Sequence, residues 1–165
     1  MALPRVLTIG ADGHPRQQPV TEIEQLRLPH KQPSDLVVTE SRVALEGIAG
    51  TTLEIELAIH LGGAQRAGLV LGMVQDLSRG VEIAFDVQTL TVAGCAVPLT
   101  VTVNAPLKLR LFLDCSILEV FINDGEPAIT RVVSTEPGDE LVGVFAERGT
   151  AHFNQIDIWE ISSIW

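Results

Sequence analysis

The 165-residue chain has no tyrosine, two tryptophans and five phenylalanines, so aromatic residues make up 4% of it. A sugar-binding surface is built from exposed aromatic faces beside planar polar groups, and this chain is poorly stocked with aromatics. Its two cysteines, Cys95 and Cys115, are too few for a disulfide framework. Neither they nor the four histidines, His14, His30, His60 and His152, fall at metal-ligand spacing, so no metal or other cofactor is expected. Basic residues are scarce as well, with 11 Lys+Arg against 21 Asp+Glu and a net charge of −10. Such a surface repels phosphate backbones and anionic lipid, which excludes nucleic acid and membrane as expected partners. No apolar run approaches the roughly 18 residues of a membrane helix. The opening MALPRVLTIG lacks the basic stretch and long apolar core of a signal peptide, which makes the cytoplasm the expected location.

What is present is apolar material in alternation. The chain is 46% hydrophobic and 19% charged, with a mean hydropathy of +0.30, enough to build a core in a single domain. Leu53, Ile55, Leu57, Ile59 and Leu61 fall on one face of an extended segment, with Glu54, Glu56 and His60 on the other. Leu107, Leu109, Leu111 and Leu113 alternate with Lys108, Arg110 and Phe112. Leu118, Val120 and Ile122 alternate with Glu119 and Phe121, and Val81, Ile83 and Phe85 with Glu82 and Ala84. Phe153, Ile156, Ile158 and Ile161 form a last apolar stretch. This period of two is the mark of half-buried strands. Turn signals punctuate the runs at Ala11-Asp12-Gly13, Glu46-Gly47, Gly62-Gly63, Ser78-Arg79-Gly80, Asn104-Ala105-Pro106, Asn123-Asp124-Gly125 and Pro137-Gly138-Asp139. Many short strands at such intervals predict an all-β sandwich or barrel. Glu22 to Arg27 suits one helical turn, stopped by Pro29 and Pro33. Leu28 to Ser34 is the expected long loop.

Motifs for chemistry are missing. There is no G-x-S-x-G, P-loop or H-E-x-x-H sequence. Nucleophile and acid/base work needs paired carboxylates. Asp114 and Glu119 are neighbours in sequence, but an odd separation on one extended strand puts them on opposite faces. They read as solvated or ion-paired acids. Cys115 has no histidine nearby in sequence and sits between apolar runs, so a buried or half-buried, inert thiol is expected. Trp159 and Trp165 are the candidates for stacking on a sugar ring. Against that, Trp159 lies among alternating isoleucines, where it would cap a core or edge, and Trp165 would be a docked chain end.

Residues 111–131, LFLDCSILEVFINDGEPAITR, carry Asp114, Ser116, Glu119, Phe121, Asn123, Asp124 and Gly125. This pattern resembles the signature hairpin in the C-terminal domain of glycoside hydrolase family 32, the invertases, fructanases and sucrose-6-phosphate hydrolase-like enzymes. Cys115 stands where that family often has arginine. Residues 3–27 resemble the segment that leads from the family's catalytic domain into its sandwich, and residues 142–165 resemble its C-terminus. The resemblance implies two packed antiparallel sheets of lectin-like (concanavalin A-like) architecture. It implies residues 1–27 as an entering segment laid on a sandwich of residues 28–165. The family's catalytic groups lie in an N-terminal β-propeller whose W-M-N-D-P-N-G, R-D-P and E-C motifs are absent here, so no catalytic residue is carried over. The hairpin residues carry over as structural features: Gly125 for the turn, Asn123 and Asp124 for its hydrogen bonds. The implied role is a non-catalytic module that supports a propeller. Its expected partners are that propeller or a second copy, through Leu3, Val6, Leu7 and Ile9. The competing role is a stand-alone lectin-like module binding carbohydrate; an independent hydrolase is the third.

Overall fold

The apolar phase of each run decides which way its strand faces, and the computed structural model shows two sheets closing on those faces. It describes residues 3–99, 105–136 and 138–162; Asn104, Pro137 and Trp165 fall outside them. One sheet has six strands in the order β10 (Cys95–Pro98), β9 (Thr89–Val92), β8 (Val81–Phe85), β7 (Arg66–Met73), β14 (Leu141–Glu147) and β5 (Arg42–Ala49). The other runs β13 (Ala128–Val132), β12 (Ile117–Ile122), β11 (Leu107–Asp114), β6 (Thr52–His60), β15 (Thr150–Ile161) and β3 (Arg27–Lys31). Its seventh strand, β4 (Leu36–Thr39), shares the β15 edge with β3. The described pairings are antiparallel, as in sandwiches joined by short turns.

The core lies between the sheets. From the seven-stranded sheet come Leu53, Ile55, Leu57 and Ile59, the four odd-numbered leucines of β11, and Leu118, Val120 and Ile122. From the six-stranded sheet come Leu69, Leu71, Ile83, Phe85, Leu90, Val142 and Val144. Each fully buried side chain of this size contributes about 1.5–3 kcal/mol. Phe153, Ile156 and Ile158 all reach this core, although a regular strand cannot put residues three apart on one face. One extra residue in β15 resolves the conflict. The register against β6 shifts between Asn154 and Asp157, and Gln155 takes a left-handed φ of 50°. Such a bulge resets the side-chain phase. Asp35 ties it down, accepting from the Asn154 amide at 2.9 Å and from the Gln155 main-chain N–H at 3.3 Å.

Two expectations about turns change. The segment from Leu28 is not a loop up to Ser34: as far as Lys31 it is the edge strand β3, with His30 opposite Trp159. Pro29 is tolerated because an edge strand leaves half of its N–H groups unpaired. Glu46-Gly47 is not a chain reversal either. It lies within β5, where Ala44 and Ala49 face Gly143 and Leu141 and the extra residues are taken up in a bulge. The helical turn is present as a 3₁₀ helix, Thr21–Leu26.

Candidate interface site

Residues 3–26 are laid along the outer face of the seven-stranded sheet, and β3 then joins that sheet at its β15 edge. The hairpin of β1 (Arg5–Ile9) and β2 (Pro15–Pro19) leads into the 3₁₀ turn, whose Ile23 is buried against Phe112 and Phe121 with Leu3, Val20 and Ala128 around them. Phe112 and Phe121 are the outward residues of β11 and β12, and their rings meet edge to face at 6.2 Å. An apolar pair on the solvent side of a sheet requires a cover, and the entering segment supplies it.

Two buried carboxylates fasten this cover. Glu119, 1% exposed, accepts the Leu3 main-chain N–H at 2.6 Å and a hydrogen bond from the Arg5 guanidinium. Arg5 also donates to Thr130 Oγ1 at 2.8 Å and to Gln17 Oε1 at 3.0 Å, and lies over the Phe121 ring. Glu54 is fully buried. Arg27 binds it through two nitrogens at 2.8 and 2.6 Å, and Arg110 through Nε and Nη2 at 2.8 and 2.7 Å. Buried carboxylates persist only when paired and hydrogen-bonded in this way. Glu56 joins the same arginines at 3.0 and 3.3 Å. Burial holds its carboxyl above the ordinary carboxylate range, against the pull of Arg110 and Arg27.

The signature hairpin is the floor of this site. Glu119 and Phe121, two residues apart on β12, share the outer face and both touch the entering segment. Asn123 and Asp124 turn the chain with left-handed φ values of 44° and 64°. Asn123 Oδ1 accepts the Lys108 main-chain N–H at 3.1 Å, and the Asp124 carbonyl accepts from Gln18 at 3.0 Å. Gly125, at φ 89°, lets β2 come close: a Cβ there would sit 2.0 Å from the Gln17 carbonyl oxygen. Arg16 adds an ion pair with Glu126 at 2.8 Å.

The other end of the hairpin corrects two expectations. Asp114 pairs with Ile117 and Glu119 with Phe112, so both acids lie on the same outer face. Parity applies within one strand, and the Cys115–Ser116 turn between them resets it. Their surroundings differ: Asp114 is solvent-exposed, while both oxygens of Glu119 are engaged. Cys115 is an exposed free thiol, not a buried or half-buried one, since a turn residue at φ 51° points away from both sheets' cores. The exposed Ser116 accepts the Val133 N–H at 2.8 Å through its carbonyl.

Trp159 is half-buried. The Arg27 guanidinium sits 3.8 Å from its ring centre and the His30 ring stacks at 4.7 Å. The ring is thus already engaged by the edge strand. A groove of about 350 Å³ opens between β2 and the bulged β15, bordered by Pro19, Ala58, Lys108, Phe121, Asp124 and Gln155. Among the described residues, no group of three or more His, Cys, Asp or Glu could hold a metal ion, and no helix is long and apolar enough to cross a membrane. Although clasped, β1 turns apolar side chains outward: Val6 is 48% exposed, Leu7 72% and Ile9 71%.

Sequence reasoning did not find the Glu54–Arg27–Arg110 cluster. The residues come from three strands far apart in the chain, and the one local signal was the polar phase of β6 and β11.

Over 98% of its length the chain is 27% identical to sucrose-6-phosphate hydrolase of Escherichia coli. Over 89% it is 24% identical to a levanbiose-producing levanase of Bacillus subtilis. It spans 34% and 31% of those proteins, about a third of each. Among solved structures, fructan 1-exohydrolase IIa of Cichorium intybus superposes with a TM-score of 0.85 at 19% identity, covering 98% of this chain and 41% of that one. Sucrose-6-phosphate hydrolase of Lactobacillus gasseri gives 0.76 at 24%, covering 98% and 33%. At such identities these two likenesses establish the shared fold. The model of the glycosyl hydrolases family 32 C-terminal domain matches residues 22–160, and the chain belongs to that family.

Proposed function

We propose that this chain is a non-catalytic accessory module that supports and docks a β-propeller catalytic domain, with residues 1–27 as the entering segment and residues 28–165 as the sandwich. The observation that carries this reading is the hairpin β1–β2. Ion pairs and a buried carboxylate hold it in place, yet it exposes Leu7 and Ile9. Apolar side chains on a fixed element suit a partner surface better than water. Accessory status also fits the absence of the propeller motifs and the engagement of Glu119 by Leu3 and Arg5. The free thiols of Cys95 and Cys115 accord with the cytoplasm as location. The groove beside β2 is too open, and the Trp159 ring too occupied, to favour the lectin-like reading.

Two experiments test the proposal. The purified chain, incubated with sucrose, raffinose, inulin or levan, is expected to release no reducing sugar above blank; turnover abolished by Asp114→Asn would sink it. In the second, the chain replaces the matching third of the Escherichia coli relative. The chimera is expected to keep activity that the catalytic part loses when left bare. A chimera no better than the bare catalytic part would count against a supporting role.

A further inference from the structure

Leu3, through its main-chain N–H, and Arg5, two residues on, through its guanidinium, both meet one carboxylate. We infer that Glu119 is a positioning residue: by holding the Leu3 N–H and the Arg5 guanidinium together, it fixes the direction in which the polypeptide preceding residue 3 in the longer relatives leaves the sandwich. The inference rests on the accessory-module reading and adds the element that would orient the two parts.

A domain on an untethered linker wanders, because each free residue adds two soft torsions. Here two points two residues apart are pinned to one side chain that is itself 1% exposed. Little water reaches the contact, which strengthens its electrostatics. Arg5 is held in turn from three further directions: Thr130, Gln17 and the Phe121 ring. The partner strand β2 cannot slide, because Gln17 abuts Gly125 and Gln18 is bonded to Asp124. A single pinned point would leave a pivot; two points on one side chain do not.

The test uses the full chain and reads geometry rather than stability. Nitroxide labels are placed on the native, exposed Cys115 and on Thr8→Cys, in a Cys95→Ala background, and their separation is measured by pulsed electron paramagnetic resonance. One narrow distance distribution is expected. With Glu119→Gln it should broaden at least twofold, and the amides of β1 should exchange at least tenfold faster while those of β6 and β11 keep their protection. Arg5→Met acts from the segment side and covers the case in which Glu119→Gln disturbs the sheet. It should broaden the distribution too, and the double variant should be no broader than the wider single one. A distribution already broad in the parent protein overturns the inference, as does one that stays narrow in both single variants. The readout is independent of any catalytic partner, so the clasp and the accessory role can fail separately.

Discussion

Replacing Gly125 by alanine probes the closest approach between the entering segment and the sheet. Two terms enter. The first is conformational: at φ 89° an L-residue pays about 1–2 kcal/mol, partly offset by about 0.4–1 kcal/mol from a less flexible unfolded chain. The second is the collision of the new Cβ with the Gln17 carbonyl oxygen, at 2.0 Å. Both partners are backbone, so β2 has to lift away. Lifting gives up the Gln18–Asp124 hydrogen bond and the Arg16–Glu126 pair, together about 1–2 kcal/mol for partly exposed contacts. Gly94 is the control: its φ is 77°, and a Cβ there meets nothing within 4 Å. Gly94→Ala therefore carries the first term alone. By differential scanning calorimetry, Gly125→Ala should melt below Gly94→Ala by about 2–8 °C, at roughly 2–4 °C per kcal/mol for a domain of this size. Equal melting temperatures would refute the reasoning, since they would mean that β2 is not pressed against the turn.

Four further outcomes are expected. Glu54→Leu strips Arg27 and Arg110 of their shared carboxylate and should cost about 3 kcal/mol in denaturant unfolding, the low end for a broken buried pair because both arginines keep some solvent contact; a cost near zero would show that water replaces it. The carboxyl of Glu56 is raised by burial, so its contribution to stability is present at acidic pH and lost as pH rises through its folded value; Glu56→Gln should match the parent below about pH 4 and be at least as stable at pH 7. Glu82 is the opposite case. Burial raises its carboxyl, but Arg66 and Arg42 outweigh burial and hold it low, so Glu82→Gln should be less stable at neutral pH and converge with the parent on acidification. In sedimentation at high concentration the isolated chain should self-associate through Val6, Leu7 and Ile9; a strict monomer, unchanged by Leu7→Ser with Ile9→Ser, would show that the surface needs no cover.

The sequence by itself determined β6, β8, β11 and β12 and their inward faces. Period two in β6, β11 and β12 is a property of the extended backbone, and it sorts Leu, Ile and Val from Glu, Lys and Arg without any knowledge of neighbours. It also marked the Asn123–Gly125 turn, because few residues tolerate left-handed φ. Tertiary structure alone decided what the polar faces do. Glu119 and Glu54 looked like ordinary outward acids. They are buried because the entering segment, more than a hundred residues from Glu119 in sequence, lies over them and brings Arg5 and Arg27. The same holds for Phe112, an apolar residue in a polar phase that had no explanation until Ile23 covered it. The bulge at Gln155 reconciles three isoleucine and phenylalanine positions that no single phase accommodates, and Asp35 holds it from another strand's approach. Local pattern reports which side of a strand is apolar; only the packed chain reports what lies against the other side.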